Sequence, residues 1–135
     1  MTIQFNHTIV PAYDRKLSAS FLAEILGLPE PVSLGPFMVV KTQNAVNLDF
    51  MTTDKEIQPK HYAFLVSESE FDEILSRINN KELTFWANHK KEHPGKINHN
   101  DGGRGLYFMD LNGHLLEIMT KPYGSDSSIN LSSLK

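Results

Sequence analysis

The chain predicts an α+β domain in which a strand–helix–three-strand unit occurs twice. Segments that alternate with period two are interleaved with only two stretches of helical period, around Leu17–Leu26 and Phe71–Ile78. A histidine opens each unit, His7 and His61, 54 residues apart, and the same shift lays Leu17 on Phe71 and Phe21 on Leu75. A chain of 135 residues is long enough for one sizeable core and too short to suggest two full domains.

The elements follow in order. Ile3–Val10 alternates and is bounded by Pro11, which predicts a strand. Asp14 caps a helix whose apolar positions are Leu17, Phe21, Leu22, Ile25 and Leu26, and Gly27 ends it as a left-handed glycine. Strands near Val32–Leu34, Phe37–Lys41 and Ala45–Met51 complete the first unit. In the last of these, Val46, Leu48 and Phe50 share one face and Asn47, Asp49 and Met51 the other. The second unit opens with the strand His61–Val66. Ser67 and Glu70 form a capping box ahead of a helix with Phe71, Ile74, Leu75 and Ile78 on its buried stripe. Leu83–Ala87 is a short strand, and Leu106–Asp110 and Leu115–Lys121 form a hairpin about Asp110-Leu111-Asn112-Gly113. The units span about 3–52 and 59–121 of a single domain, 1–124, and the serine-rich stretch 125–135 reads as a mobile tail.

Composition excludes several classes of function. The net charge of −3 offers no basic face for nucleic acid or an anionic membrane. The absence of cysteine rules out disulfides, thiolate nucleophiles and zinc–thiolate sites. No apolar run approaches the roughly 20 residues that span a bilayer, and the first residues lack the basic-then-apolar pattern of a signal peptide. A cytoplasmic protein acting on a small molecule is the expectation.

Strand parity then gathers a polar set. Glu117 lies inside the apolar run Leu115–Met119, where a charge is costly unless something pairs with it. His7 shares a face with Phe5 and Ile9, His61 with Ala63 and Leu65, and Glu117 with Leu115 and Met119. If the sheet curls, two imidazoles and a carboxylate line its concave side, a ligand set suited to one divalent ion of iron, manganese, nickel or zinc. Singly, each has a plainer reading: a strand histidine satisfied by hydrogen bonds, a carboxylate paired with a neighbouring Arg or Lys. The polar stretch from Asn88 to Arg104 is longer than most connections in a compact domain, and such loops are often functional. His99 on it is a candidate proton carrier at the site's mouth, because imidazole as a class titrates near neutrality; a solvated loop histidine is the alternative. His89 and His93 read as surface residues and His114 as a structural turn residue. Arg104 either meets an anionic ligand or pairs on the surface. Phe85 and Trp86 either line an aromatic cleft or pack in the core or an interface.

Asn6-His7, Phe21-Leu22 with Leu26-Gly27-Leu28, Lys60-His61 and the hairpin Gly105–Ile118 together resemble the vicinal oxygen chelate superfamily of glyoxalases, bleomycin resistance proteins, extradiol dioxygenases and fosfomycin-resistance proteins. The resemblance runs from about Phe5 to Lys121. It implies two β-α-β-β-β modules forming a cupped mixed sheet around a divalent metal, in a homodimer, with His7, His61 and Glu117 as ligands. Asn47 aligns where glyoxalases carry a fourth ligand, a glutamate, and Asp49 follows two residues on; both are candidates for the substrate cup, with Arg104. Tyr107, ten residues before Glu117, is similar to the active-site tyrosine of extradiol dioxygenases and to a substrate-contacting tyrosine of fosfomycin-resistance enzymes; a cup-wall aromatic is the other reading. Three ligands leave positions for a bidentate substrate and dioxygen, which favours a dioxygenase-like reaction. The alternatives are a glyoxalase-type isomerase, a fosfomycin-type thiol transferase and a non-catalytic drug-binding protein.

Overall fold

The computed structural model describes residues 2–126. Its elements run β1 (His7–Ala12), α1 (Arg15–Leu26), β2 (Val32–Leu34), β3 (Phe37–Lys41), β4 (Asn47–Thr52), β5 (His61–Leu65), α2 (Glu68–Asn80), β6 (Phe85–Trp86), β7 (Gly105–Met109) and β8 (Leu115–Met119). They form two four-stranded mixed sheets, ordered β1-β4-β3-β2 and β5-β8-β7-β6, each with one helix: two β-α-β-β-β modules, as the alternation of periods predicts. Apart from Ser125 and Asp126, the expected tail lies outside the described residues. Among the described residues no helix is long and apolar enough to cross a membrane.

The chain divides into two compact units, 1–59 with 110–114, and 60–109 with 115–135. In the first, β1 pairs in parallel with β4 and antiparallel neighbours follow. Val10, Ala12, Val40, Leu48 and Phe50 are buried with Leu22, Ala23 and Ile25 of α1. Asp14 accepts the amides of Lys16 and Leu17, and Gly27 closes the helix at φ 72°, a left-handed conformation that costs glycine nothing. Two expectations shift here. The strand begins at His7 instead of Ile3 and continues through Pro11. It is an edge strand, so the missing proline N–H forfeits no ladder bond. The buried face of α1 is also rotated: Ser18, Ala19, Leu22, Ala23 and Ile25 are inside, while Leu17 is 62 % exposed. Ser18 turns inward because its hydroxyl meets the Asn112 amide at 3.0 Å.

The turn 110–114 packs with this first unit. Asn112 accepts the Tyr13 amide at 2.9 Å, and His114, fully buried, donates from Nε2 to the Pro11 carbonyl at 2.8 Å. The Asp110 carboxylate holds the turn by accepting the amides of Asn112 and His114. His114 is therefore structural, as its place in the hairpin turn suggests.

In the second unit β5 pairs in parallel with β8, and β7 and β6 follow antiparallel. Leu106, Phe108, Leu116 and Ile118 face a core that also holds Phe71, Ile74, Ile78 and Phe85. The capping box forms as written in the sequence: Ser67 accepts from the Glu70 amide and Glu70 from the Ser67 amide, which holds the Glu70 carboxyl below its usual range. The strands β6 and β8 are shorter than expected. β6 keeps only Phe85 and Trp86 in the ladder; Phe85 is core and Trp86 half-buried under Lys91.

Candidate metal and substrate site

One face of β5, β7 and β8 is left free of the core, and on it lies a cavity of about 590 Å³ lined by residues of the second unit, among them His61, Tyr107, Leu115, Glu117, Met119 and Lys121. The period of two puts Leu115, Glu117 and Met119 there while Leu116 and Ile118 are buried.

His61 and Glu117 meet at this face, Nε2 to Oε1 at 3.1 Å. The His61 Nδ1 lies 3.0 Å from the Leu115 carbonyl, its partner across the ladder. A carbonyl only accepts, so Nδ1 carries a proton, and Nε2 faces the Glu117 carboxylate either as the donor of an ion pair or as a lone pair that a cation would bridge. Tyr107, opposite Glu117 in the β7–β8 register, donates its hydroxyl to that carboxylate and stacks on His61 at 5.9 Å between ring centres. Burial, then the charge of Glu117 and the hydrogen bond to it, holds the phenol above its usual range. An imidazole and a carboxylate, each steadied by a neighbour, suit a divalent ion of the borderline class.

His7, the third residue of the expected ligand set, lies in the other unit. It belongs to the first unit, exposed on β1, with Nδ1 2.8 Å from the Asn6 side-chain oxygen. Among the described residues no three His, Asp or Glu side chains stand close enough to hold a metal. The register also moves the repeat by one step on a face. Asn47 stands opposite His7, but Asp49 stands opposite Ile9, as Glu117 stands opposite Ala63. Asp49, not Asn47, is thus the counterpart of Glu117. It is only 9 % exposed. A carboxylate so enclosed is costly without a cation.

The long loop bears on His89 and His99 in different ways. His99 is not among the residues lining the cavity; Asn98 and Asn100 are. Asn98 bridges to Gly105 as a β-partner. His89, exposed as expected, also lines the cavity and meets the Tyr107 ring edge-on at 6.5 Å. Nothing local marks it, because its placement depends on the loop closing through Asn88, which accepts the Lys90 and Glu92 amides, and Asn98, which donates to the Ala87 carbonyl. Arg104 reaches the cavity wall, yet its guanidinium is spent on α2: Nε to Glu68 at 2.7 Å, Nη1 to Asp72 at 2.8 Å, and a seat 4.4 Å over the Phe71 ring. Of its two readings, the surface ion pair is the one realised.

Two modules of this topology, with an imidazole and a carboxylate converging beside a tyrosine, define a member of the vicinal oxygen chelate superfamily, and the chain belongs to it. No family model matches the chain. It is similar to two solved structures, the oxidase ChaP-H2, at 57% identity with 94% of this chain and 100% of that chain covered and a TM-score of 0.91, and the oxidase ChaP-H1, at 56% identity with 92% and 100% covered and a TM-score of 0.90. It is also 27% identical to the glutathione transferase FosA of Serratia marcescens over 124 residues, 87% of this chain and 81% of that protein.

Proposed function

We propose that the protein is a divalent-metal-dependent enzyme that oxidises a small molecule bearing two neighbouring oxygens, in a dioxygenase-like reaction. The supporting observation is the His61–Glu117 pair, an imidazole nitrogen and a carboxylate oxygen held 3.1 Å apart with Tyr107 behind them. The similarity to proteins named as oxidases points the same way.

In this proposal His61 and Glu117 hold the ion with His7 of a second copy of the chain. His7 sits on the exposed side of an edge strand, beside Ile9 at 47 % exposure, while the edge strand β5 leaves Leu65 61 % exposed. A homodimer that joins these edges supplies the third ligand. The bound ion would draw two substrate oxygens to itself and stabilise negative charge on them. Tyr107, kept protonated by its surroundings, offers a hydrogen bond to the bound molecule or shares a proton with it through Glu117. His61, fixed by Leu115, keeps its orientation throughout. Leu115, Met119 and Tyr107 give the site its less polar wall. One rival has an observation in its favour: Asp49, at the register position of Glu117, would serve a glyoxalase-type isomerase as a further ligand or base.

Metal analysis of protein purified without an affinity tag should find a divalent ion that is lost in Glu117→Ala and His7→Ala, and sedimentation should find a dimer. Oxygen uptake with a catechol panel, set against turnover of methylglyoxal with glutathione, separates oxidation from isomerisation. If no divalent ion binds, or His7→Ala leaves metal content unchanged, the proposal fails.

A further inference from the structure

The charged groups on the cavity wall are almost all committed. Glu117 is held by His61 and Tyr107. Arg104 is spent on Glu68 and Asp72. The two oxygens of Asp101 accept the amides of Gly124 and Asp126, each at 3.2 Å. Lys121 lines the same wall and makes no ion pair among the described residues. It follows Leu115, Glu117 and Met119 on the cavity wall, in the bend just past the end of β8. Its stem is fixed by a close approach: a Cβ on Gly103 would fall 2.6 Å from the Lys121 Cγ and 2.6 Å from the Thr120 hydroxyl. That hydroxyl is itself tied down, accepting the Arg104 amide at 2.8 Å.

We propose that Lys121 receives an acidic group of the substrate, so that the site takes a molecule with chelating oxygens at one end and an anion at the other. The inference rests on the metal-chelate reading of His61 and Glu117 and names the substrate class for it. Four residues of extended chain set an upper limit of ~13 Å between the Glu117 and Lys121 backbones, and Met119 between them offers an apolar seat for the body of the molecule. A carboxylate or phenolate on Lys121 gains a charge-assisted bond in a partly enclosed site, worth about tenfold in affinity.

The test compares 3-(3,4-dihydroxyphenyl)propionate with its methyl ester by calorimetry on manganese-loaded full-length protein. The acid should bind about tenfold more tightly than the ester. Lys121→Met should erase that preference with the ester's affinity unchanged, and Lys121→Arg should keep it. Equal binding of acid and ester by the wild type, or a preference that survives in Lys121→Met, overturns the inference while leaving the metal site standing. Binding of neither probe overturns the chelate reading and the inference with it.

Discussion

Tyr107→Phe is the sharpest probe of the site, because it removes one oxygen and leaves the ring on His61. The lost interaction is a hydrogen bond from a half-buried phenol to a carboxylate. Bonds to charged groups contribute ~1.5–3 kcal/mol, and partial exposure places this one toward the lower end. If Glu117 is a metal ligand, the loss appears as a weakening of metal affinity by about 10- to 30-fold, within the range for removing a ligand's hydrogen-bond partner. The assay is a competition titration of Mn²⁺ and Zn²⁺ against a chelating dye. The same variant carries a signature that needs no metal. A folded-state phenol held above its usual value of 10.0 stays protonated where the unfolded chain has begun to ionise. Folding then contributes stability that is complete below that value and lost as pH rises through the folded-state value. The wild type should therefore lose stability in that alkaline window, and Tyr107→Phe should show a shallower loss. A metal affinity within threefold of wild type, with the variant folded, would refute the role given to this hydroxyl.

His114→Ala should lower stability by ~2–4 kcal/mol through a cavity and an orphaned Pro11 carbonyl, or about 10 °C in melting temperature for a chain of this size, read by thermal unfolding. Asp49→Asn should leave metal content unchanged if three ligands suffice and reduce it if the glyoxalase-type arrangement holds; metal analysis beside Glu117→Gln decides. Asn98→Ala removes the amide that ties the long loop to the Ala87 carbonyl, so hydrogen exchange across 88–104 should accelerate while β8 stays protected.

Most elements were legible because their signals are local. Asp14 and Gly27 bracket α1, Ser67 and Glu70 start α2, and alternation marks β4, β5 and the hairpin strands. That Glu117, His61 and Tyr107 share one face was legible, since parity and the ten-residue spacing across a tight turn put Tyr107 opposite Glu117. What failed depends on partners distant in sequence. The choice of Asp49 over Asn47 is a matter of parallel register, which no turn dictates between β1 and β4. That His89 lines the cavity and His99 does not follows from how the loop folds back on Asn98. The inward turn of Ser18 needs Asn112, 94 residues away. The fate of Arg104 needs acids 32 and 36 residues before it.

The turn at 110–114 has a consequence for how such a protein can be divided. Its sequence lies between two strands of the second unit, yet its side chains complete the first: Asn112 accepts the Tyr13 amide and donates to the Ser18 hydroxyl, and His114 donates to the Pro11 carbonyl. A cut near Pro59 would separate two look-alike halves on paper, but the N-terminal half would leave without a five-residue turn that belongs to it, with Asn112 and His114 buried. The modules repeat in pattern and are not independent parts. Exchange of one module between relatives therefore has to carry this short turn along with the half it serves.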